Sequence, residues 1–205
     1  MVGCGVDEKK APDIGYYVSP LEELQKIHQV VFVPIITDDV DRQSIADSMT
    51  QNLCQGLKDR RMFQVDVLDA KDPACLLVPA GSRHPLTLQQ LSAIRQAVRS
   101  DAVLFGCMTD FEQYPRMRIG LRLRLIDLRR GKMLWGVDHI WDTTDKKTVE
   151  RIRQYYDARS ARQVDPLKDR MGIVSVQAFQ KFVAWEIART LPHEELDKEE
   201  PNGKK

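Results

Sequence analysis

The sequence is poor in residues that carry chemistry. Four cysteines (Cys4, Cys54, Cys75 and Cys107) and four histidines are scattered over 205 residues, and no CxxC pair is present, which argues against a zinc site. No glycine-rich phosphate loop, GxSxG or HExxH occurs. No apolar run approaches the roughly 18 residues that a membrane-crossing helix needs. Charge of one sign is missing too. The 31 Lys+Arg and 30 Asp+Glu leave a net charge of +1, which excludes a globally basic nucleic-acid coat and an acidic disordered tail protein. A chain of this length buries about 70% of its unfolded surface and needs no disulfide or metal staple.

What is present has the pattern of a mixed α/β chain. Gln29 to Ile36 is a continuous apolar, β-branched run, as for a strand buried on both faces. Asp38, Asp39 and Asp41 suit a helix start. Ile45, Met49, Leu53 and Leu57 then form one helical stripe that ends near Asp59-Arg60-Arg61. Met62 to Leu68 alternates as a second strand, and 69–85 reads as a loop. Thr87-x-x-Gln90 is a capping box for a helix with Leu91, Ile94, Ala97 and Val98 inside. Asp101 to Cys107 is a third strand. Val176, Phe179, Val183, Ile187 and Leu191 mark a long final helix.

Arg116 to Ile126 and Lys132 to Asp142 alternate around Arg129-Arg130-Gly131, which fits a three-residue hairpin loop with a left-handed glycine and Leu128 facing Lys132. That register places Ile119, Leu121, Leu123 and Leu125 opposite Trp141, His139, Val137 and Trp135. On the other face Arg118 meets Asp142, Arg122 meets Asp138 and Arg124 meets Gly136. One face is apolar and the other complementary in charge, and a slip of one residue destroys both properties. The expected architecture is a single mixed β-sheet of α/β (α+β) type, with a parallel βαβ start, an antiparallel hairpin end and packed helices.

Enzyme signals are weak, and no cofactor or metal is expected. The acids at 38–41 fit helix capping better than a Mg²⁺ site. His139, between two tryptophans, fits a hydrogen-bonded core or edge residue better than a base. The Arg stripe reads first as an Arg–Asp ladder, which leaves Arg116 and Arg124 without a direct acidic partner and open to an anion or a partner. Charge is unevenly spread: residues 116–173 hold 15 basic and 8 acidic side chains, whereas residues 1–115 hold 11 and 16. Within the basic part, Arg151, Arg153, Tyr155, Tyr156, Arg159 and Arg162 interleave charge with aromatics. That pattern suits single-stranded nucleic acid, a protein or membrane-surface contact, or a merely solvated helix face.

The opening Met1-Val2-Gly3-Cys4-Gly5, followed by polar residues, looks like the end of a bacterial lipoprotein signal, where small residues precede a cysteine that is cleaved and acylated. A full signal also has a basic region and an apolar run before the cysteine, so here either the start is shortened or the match is chance.

The succession from Val-Phe-Val-Pro-Ile-Ile, through Ser100-Asp101-Ala102-Val103-Leu104-Phe105-Gly106, to Leu125-Ile126-Asp127-Leu128-Arg129-Arg130-Gly131-Lys132-Met133-Leu134-Trp135 resembles the CsgG-like and TolB amino-terminal envelope lipoprotein domains over about 29–142 plus the last helix. The resemblance implies that Asp101, Gly106, Asp127, Gly131 and Trp135 are structural positions. It also implies an acylated Cys4, with Gly5 in place of an aspartate going with the outer membrane. The expected organisation is a tether and short helix over 1–28, one domain over 29–192 with a helical or loop insertion at 143–173, and a disordered tail at 193–205. The expected function is a non-catalytic lipoprotein on the periplasmic side of the outer membrane, held by lipid at Cys4. It would act on envelope protein partners or on a second copy of itself. A soluble nucleic-acid-binding domain using 116–162 is the alternative.

Overall fold

The computed structural model describes residues 11–78, 86–160 and 175–192. Six strands form one mixed sheet: β1 (Tyr16–Val18), β2 (Gln29–Phe32), β3 (Gln64–Val67), β4 (Ala102–Glu112), β5 (Arg118–Asp127) and β6 (Met133–Asp142), in the order β1-β6-β5-β4-β2-β3. β2 runs parallel to β3 and to β4, and the remaining neighbours are antiparallel. The helices are α1 (Leu21–Leu24), α2 (Gln43–Asp59), α3 (Leu88–Ala97), α4 (Lys146–Ser160) and α5 (Val176–Ala188). The architecture is therefore the α+β mixed sheet that the alternation predicts.

Each face of the sheet has its own core. Val30 and Phe32 join the α2 stripe (Met49, Leu53, Leu57), the α5 residues Phe179, Phe182 and Ile187, and the apolar face of the hairpin. Val31 and Val33 join Val103, Phe105 and the α3 residues Leu91 and Ile94. The strand from Gln29 is thus buried on both faces because helices cover both. On the α3 side the cover stops partway, and most of the β5–β6 hairpin stays open there. The capping box at Thr87 and Gln90 forms as expected.

The Thr50 hydroxyl, 1% exposed, ties α2 to the end of β2. It accepts from the Ile35 N–H at 2.9 Å and donates to the Ala46 carbonyl at 2.9 Å. Thr50→Val keeps the shape and strands a buried N–H, so a loss of about 1–3 kcal/mol is expected. Urea denaturation would measure it.

The hairpin holds the expected register from Arg118↔Asp142 to Leu125↔Trp135. Beyond that it departs: Ile126 pairs with Met133, so Leu134 is an extra residue and the facing of Leu128 and Lys132 does not form. The turn instead winds on Asp127. Its Oδ1 accepts from the N–H groups of Arg129 (2.7 Å) and Arg130 (3.2 Å), and its carbonyl accepts from Gly131 N–H (2.8 Å). Gly131 sits at φ +66°, the left-handed conformation expected of it. Asp101 works similarly: Oδ2 accepts from His28 N–H (3.1 Å) and Gln29 N–H (3.2 Å), and Oδ1 from Arg129 Nη2 (3.1 Å). Burial alone would raise its carboxyl, but these donors and the Arg129 charge hold it below its ordinary value.

Two expectations need correcting. The segment before Gln29 reads as a tether, yet Tyr16–Val18 is an edge strand on β6. The insertion reads as exposed, yet α4 buries Ile152 and Tyr155 in the main core. Residues 161–173 and 193–205 lie outside the described residues.

Candidate functional site

The ladder on the open hairpin face is present and extends further than β5 and β6. Arg122 Nε lies 2.7 Å from Asp138, and Arg118 reaches Asp110 at 3.1 Å and Asp142 at 3.8 Å. Arg116 is paired after all, with Glu112 at 3.1 Å and Asp142 at 3.9 Å. Glu112 and Asp110 come from β4, whose register shifts between Met108 and Asp110. A reading confined to the two hairpin strands omits this third strand. Arg124, half-buried, makes no ion pair or side-chain hydrogen bond among the described residues.

The interleaved arginines and tyrosines of α4 divide by helical face. Tyr155 is 6% exposed, and Tyr156 donates its hydroxyl to the Ala178 carbonyl at 2.7 Å, so neither ring is presented for base stacking. Burial raises both phenols. Arg151 points inward: its Nε donates to Glu186 Oε1 at 2.7 Å, while Trp141 Nε1 donates to Glu186 Oε2 at 2.6 Å. Glu186 is 1% exposed, and its burial raises its carboxyl against the pull of Arg151 and Trp141. His139 stacks edge-on to Trp141 with ring centroids 4.8 Å apart, and Nδ1 accepts from Gly15 N–H at 3.4 Å. Burial, with Arg151 nearby, lowers its pKa, so the ring is neutral at pH 7 and serves as an acceptor at the edge of the core.

Arg153 and Arg159 remain on the surface. The Arg159 guanidinium lies 4.0 Å from the Tyr155 ring centroid and 5.3 Å from that of Trp185, while Arg189 stacks on Trp185 at 4.7 Å. With Lys181 and Arg60 they line a hollow of about 430 Å³ where α2, α4 and α5 meet. Arg60 also donates to the Leu191 carbonyl at 2.7 Å. Gly56 is what lets α2 cross α5 so closely, since a Cβ there would lie 3.3 Å from the Ala184 carbonyl oxygen and from Ala188 Cβ. This corner is positive, with Asp59 the single acid in its lining. Sequence reasoning missed Lys181, Trp185 and Arg189, although their i, i+4, i+8 spacing on α5 was the available signal. Glu186 was missed as well, despite lying between Val183 and Ile187 on the buried stripe.

Among the described residues the remaining candidates lie apart from one another. Asp39 accepts from Asp41 N–H at 3.0 Å and pairs with Arg42 at 2.9 Å, the capping role expected of it. Among the described residues no cluster of three or more metal-ligating side chains forms. Cys54, Cys75 and Cys107 are not in disulfides. Cys4 and Arg162 lie outside the described residues. No described helix is long and apolar enough to cross a membrane.

No protein-family model matches the chain, and no curated protein matches it either. Several solved structures are similar to it over part of the chain. A PelC dodecamer from Paraburkholderia phytofirmans is 16% identical, with 63% of this chain and 79% of that one covered and a TM-score of 0.44. Lipoprotein GNA1162 from Neisseria meningitidis is 19% identical, with 56% and 82% covered and a TM-score of 0.40. LpoB from E. coli is 15% identical, with 63% and 70% covered and a TM-score of 0.37.

Proposed function

We propose that this chain is a non-catalytic accessory protein of the bacterial cell envelope, acylated at Cys4 and working through contacts with envelope proteins. The observation that carries the reading is the Val2-Gly3-Cys4-Gly5 opening followed by a polar stretch. The strand-helix order over 29–142, with Asp101, Asp127 and Gly131 holding backbone, supports it, because these positions underlie the resemblance to CsgG-like and TolB amino-terminal domains. Eleven residues, and so twelve Cα steps, lie between Cys4 and Tyr16. At about 3.5 Å per residue, the β1 edge can stand no more than about 40 Å from the anchor. The contact surfaces in this reading are the open hairpin face with Arg116 and Arg124, the positive corner with Arg159, and the exposed Arg153 of α4. A second copy of the chain is one candidate partner.

Mass spectrometry of the native full-length protein tests the anchor. The expected result is an acylated cysteine at position 4 in the membrane fraction, and Cys4→Ser should shift all of the protein to the soluble fraction. Multiple acyl chains hold a protein firmly where one chain holds it marginally, so an intermediate distribution is not expected. An unmodified Cys4 in a cytosolic fraction would overturn the reading.

A further inference from the structure

The cover of α3 ends beside a groove of about 470 Å³ on the open sheet face, within the range of small-molecule sites. Phe105, Ile126 and Arg124 form its floor, with Leu86 and Leu91 on one side and Met133 on the other. Arg124 lies directly between Phe105 on β4 and Gly136 on β6. Glycine keeps the floor open there, since a Cβ at 136 would sit 3.1 Å from the Leu123 carbonyl oxygen and 3.5 Å from Met133 Sδ. Asp138 lines one end, but it is matched by Arg122 at 2.7 Å and leaves the Arg124 charge uncompensated.

We infer that this groove binds a medium- or long-chain carboxylate, with the carboxylate on Arg124 and the acyl chain along Phe105, Leu86, Leu91 and Met133. One guanidinium matches one carboxylate, in a fork geometry that supplies two parallel hydrogen bonds. The apolar lining accepts a chain that asks for no hydrogen bonds. A peptide fits less well. Its amides would need partners, and the N–H and C=O groups beneath the groove are taken by the β4–β5 and β5–β6 ladders. This site is independent of the anchor at Cys4.

The test is a calorimetric titration of the full chain with decanoate, decanol and acetate, with amide NMR shifts locating the site. Saturable one-to-one binding of decanoate is expected, with shifts centred on Phe105, Arg124 and Gly136. Arg124→Gln should weaken decanoate about tenfold or more and leave decanol within about twofold, as loss of a charge-assisted hydrogen bond requires. Leu86→Glu, a change on the groove wall that supplies a competing carboxylate, should weaken decanoate likewise, with circular dichroism confirming that both variants fold. Absence of saturable decanoate binding, equal affinity in Arg124→Gln, acetate binding as tightly as decanoate, or tighter binding of a peptide with an apolar carboxyl terminus would each overturn the assignment.

Discussion

Arg151→Met is expected to cost the fold about 3–5 kcal/mol, because it removes one partner of a buried ion pair and strands the other. The side chain of Glu186 is 2% exposed and that of Arg151 is 18% exposed, so solvent cannot replace the lost charge. The loss should also grow with pH. Burial raises the Glu186 carboxyl, and Arg151, Trp141 and, more weakly, Arg189 pull it back; without Arg151 it climbs further. A carboxyl raised in the folded state binds more protons there than in the unfolded chain, so stability falls as pH rises from its ordinary value, near 4.5, through the folded one.

The other groups facing this pair act in the same direction. His139 is lowered first by burial and then by Arg151. Removing Arg151 therefore relieves a destabilisation that wild type carries at low pH. Asp145, held below its usual range by Thr148 and Lys147, loses a further Arg151 contribution. Urea denaturation at pH 5 and pH 8 should show the larger loss at pH 8, and Arg151→Met/Glu186→Gln should recover most of it. A loss independent of pH, with no recovery in the double variant, would show that Arg151 matters only for its packing.

Gly106→Ala should be the most damaging of the small changes. Its Cβ would lie 2.1 Å from the Arg122 carbonyl oxygen, 2.7 Å from Leu123 Cδ2 and 3.0 Å from Leu123 Cα. The first and last of these are backbone atoms of the paired strand, so no rotamer change relieves them and β4 and β5 must separate at their middle. A cost at or above the usual 1–3 kcal/mol for overpacking follows, read as a lower urea midpoint or loss of soluble protein. Gly120→Ala is the internal control. Its close contacts are Thr109 Oγ1 at 2.5 Å, which can rotate away, and Asp110 Cβ at 2.9 Å and Asp110 N at 3.1 Å, beside the irregular step in β4 and all longer than the 2.1 Å at Gly106. If Gly106→Ala proves no worse than Gly120→Ala, the close strand approach is not what this glycine serves.

The hairpin was legible in the sequence because its two constraints, an apolar face and a charge-matched face, both have period two and agree on one register. The βαβ start was legible for a similar reason, since Val30–Ile36 is apolar at every position and rich in β-branched residues, as a strand covered on both sides requires. The β1 strand was not legible. Three residues, Tyr-Tyr-Val, hold no period, and what pairs them is the edge of β6, far away in sequence. The partners of Arg116 were hidden for another reason, because it lies outside the strands and Glu112 reaches it across the turn that joins β4 to β5. The α4 tyrosines misled for a physical reason: a helix with Ile152 and Tyr155 on one face and arginines on the other has the same composition whether that face is packed or free. The groove at Arg124 depends on where α3 stops covering the sheet, which no local pattern encodes.

The position of β1 also has a mechanical consequence. It is a three-residue strand at the end of the sheet, held on one side by β6. A load applied through the amino-terminal segment meets the contacts of Asp13, Ile14 and Gly15 and then this strand. Peeling it away would bare the outer backbone groups of β6 over Trp135 to Val137, an open edge of the kind that recruits a further strand. The same movement would carry off Tyr16 and Tyr17, which border the groove at Arg124. Tension on the amino-terminal segment would thus change both the pairing edge and the groove, and would lift Val18 from the main core.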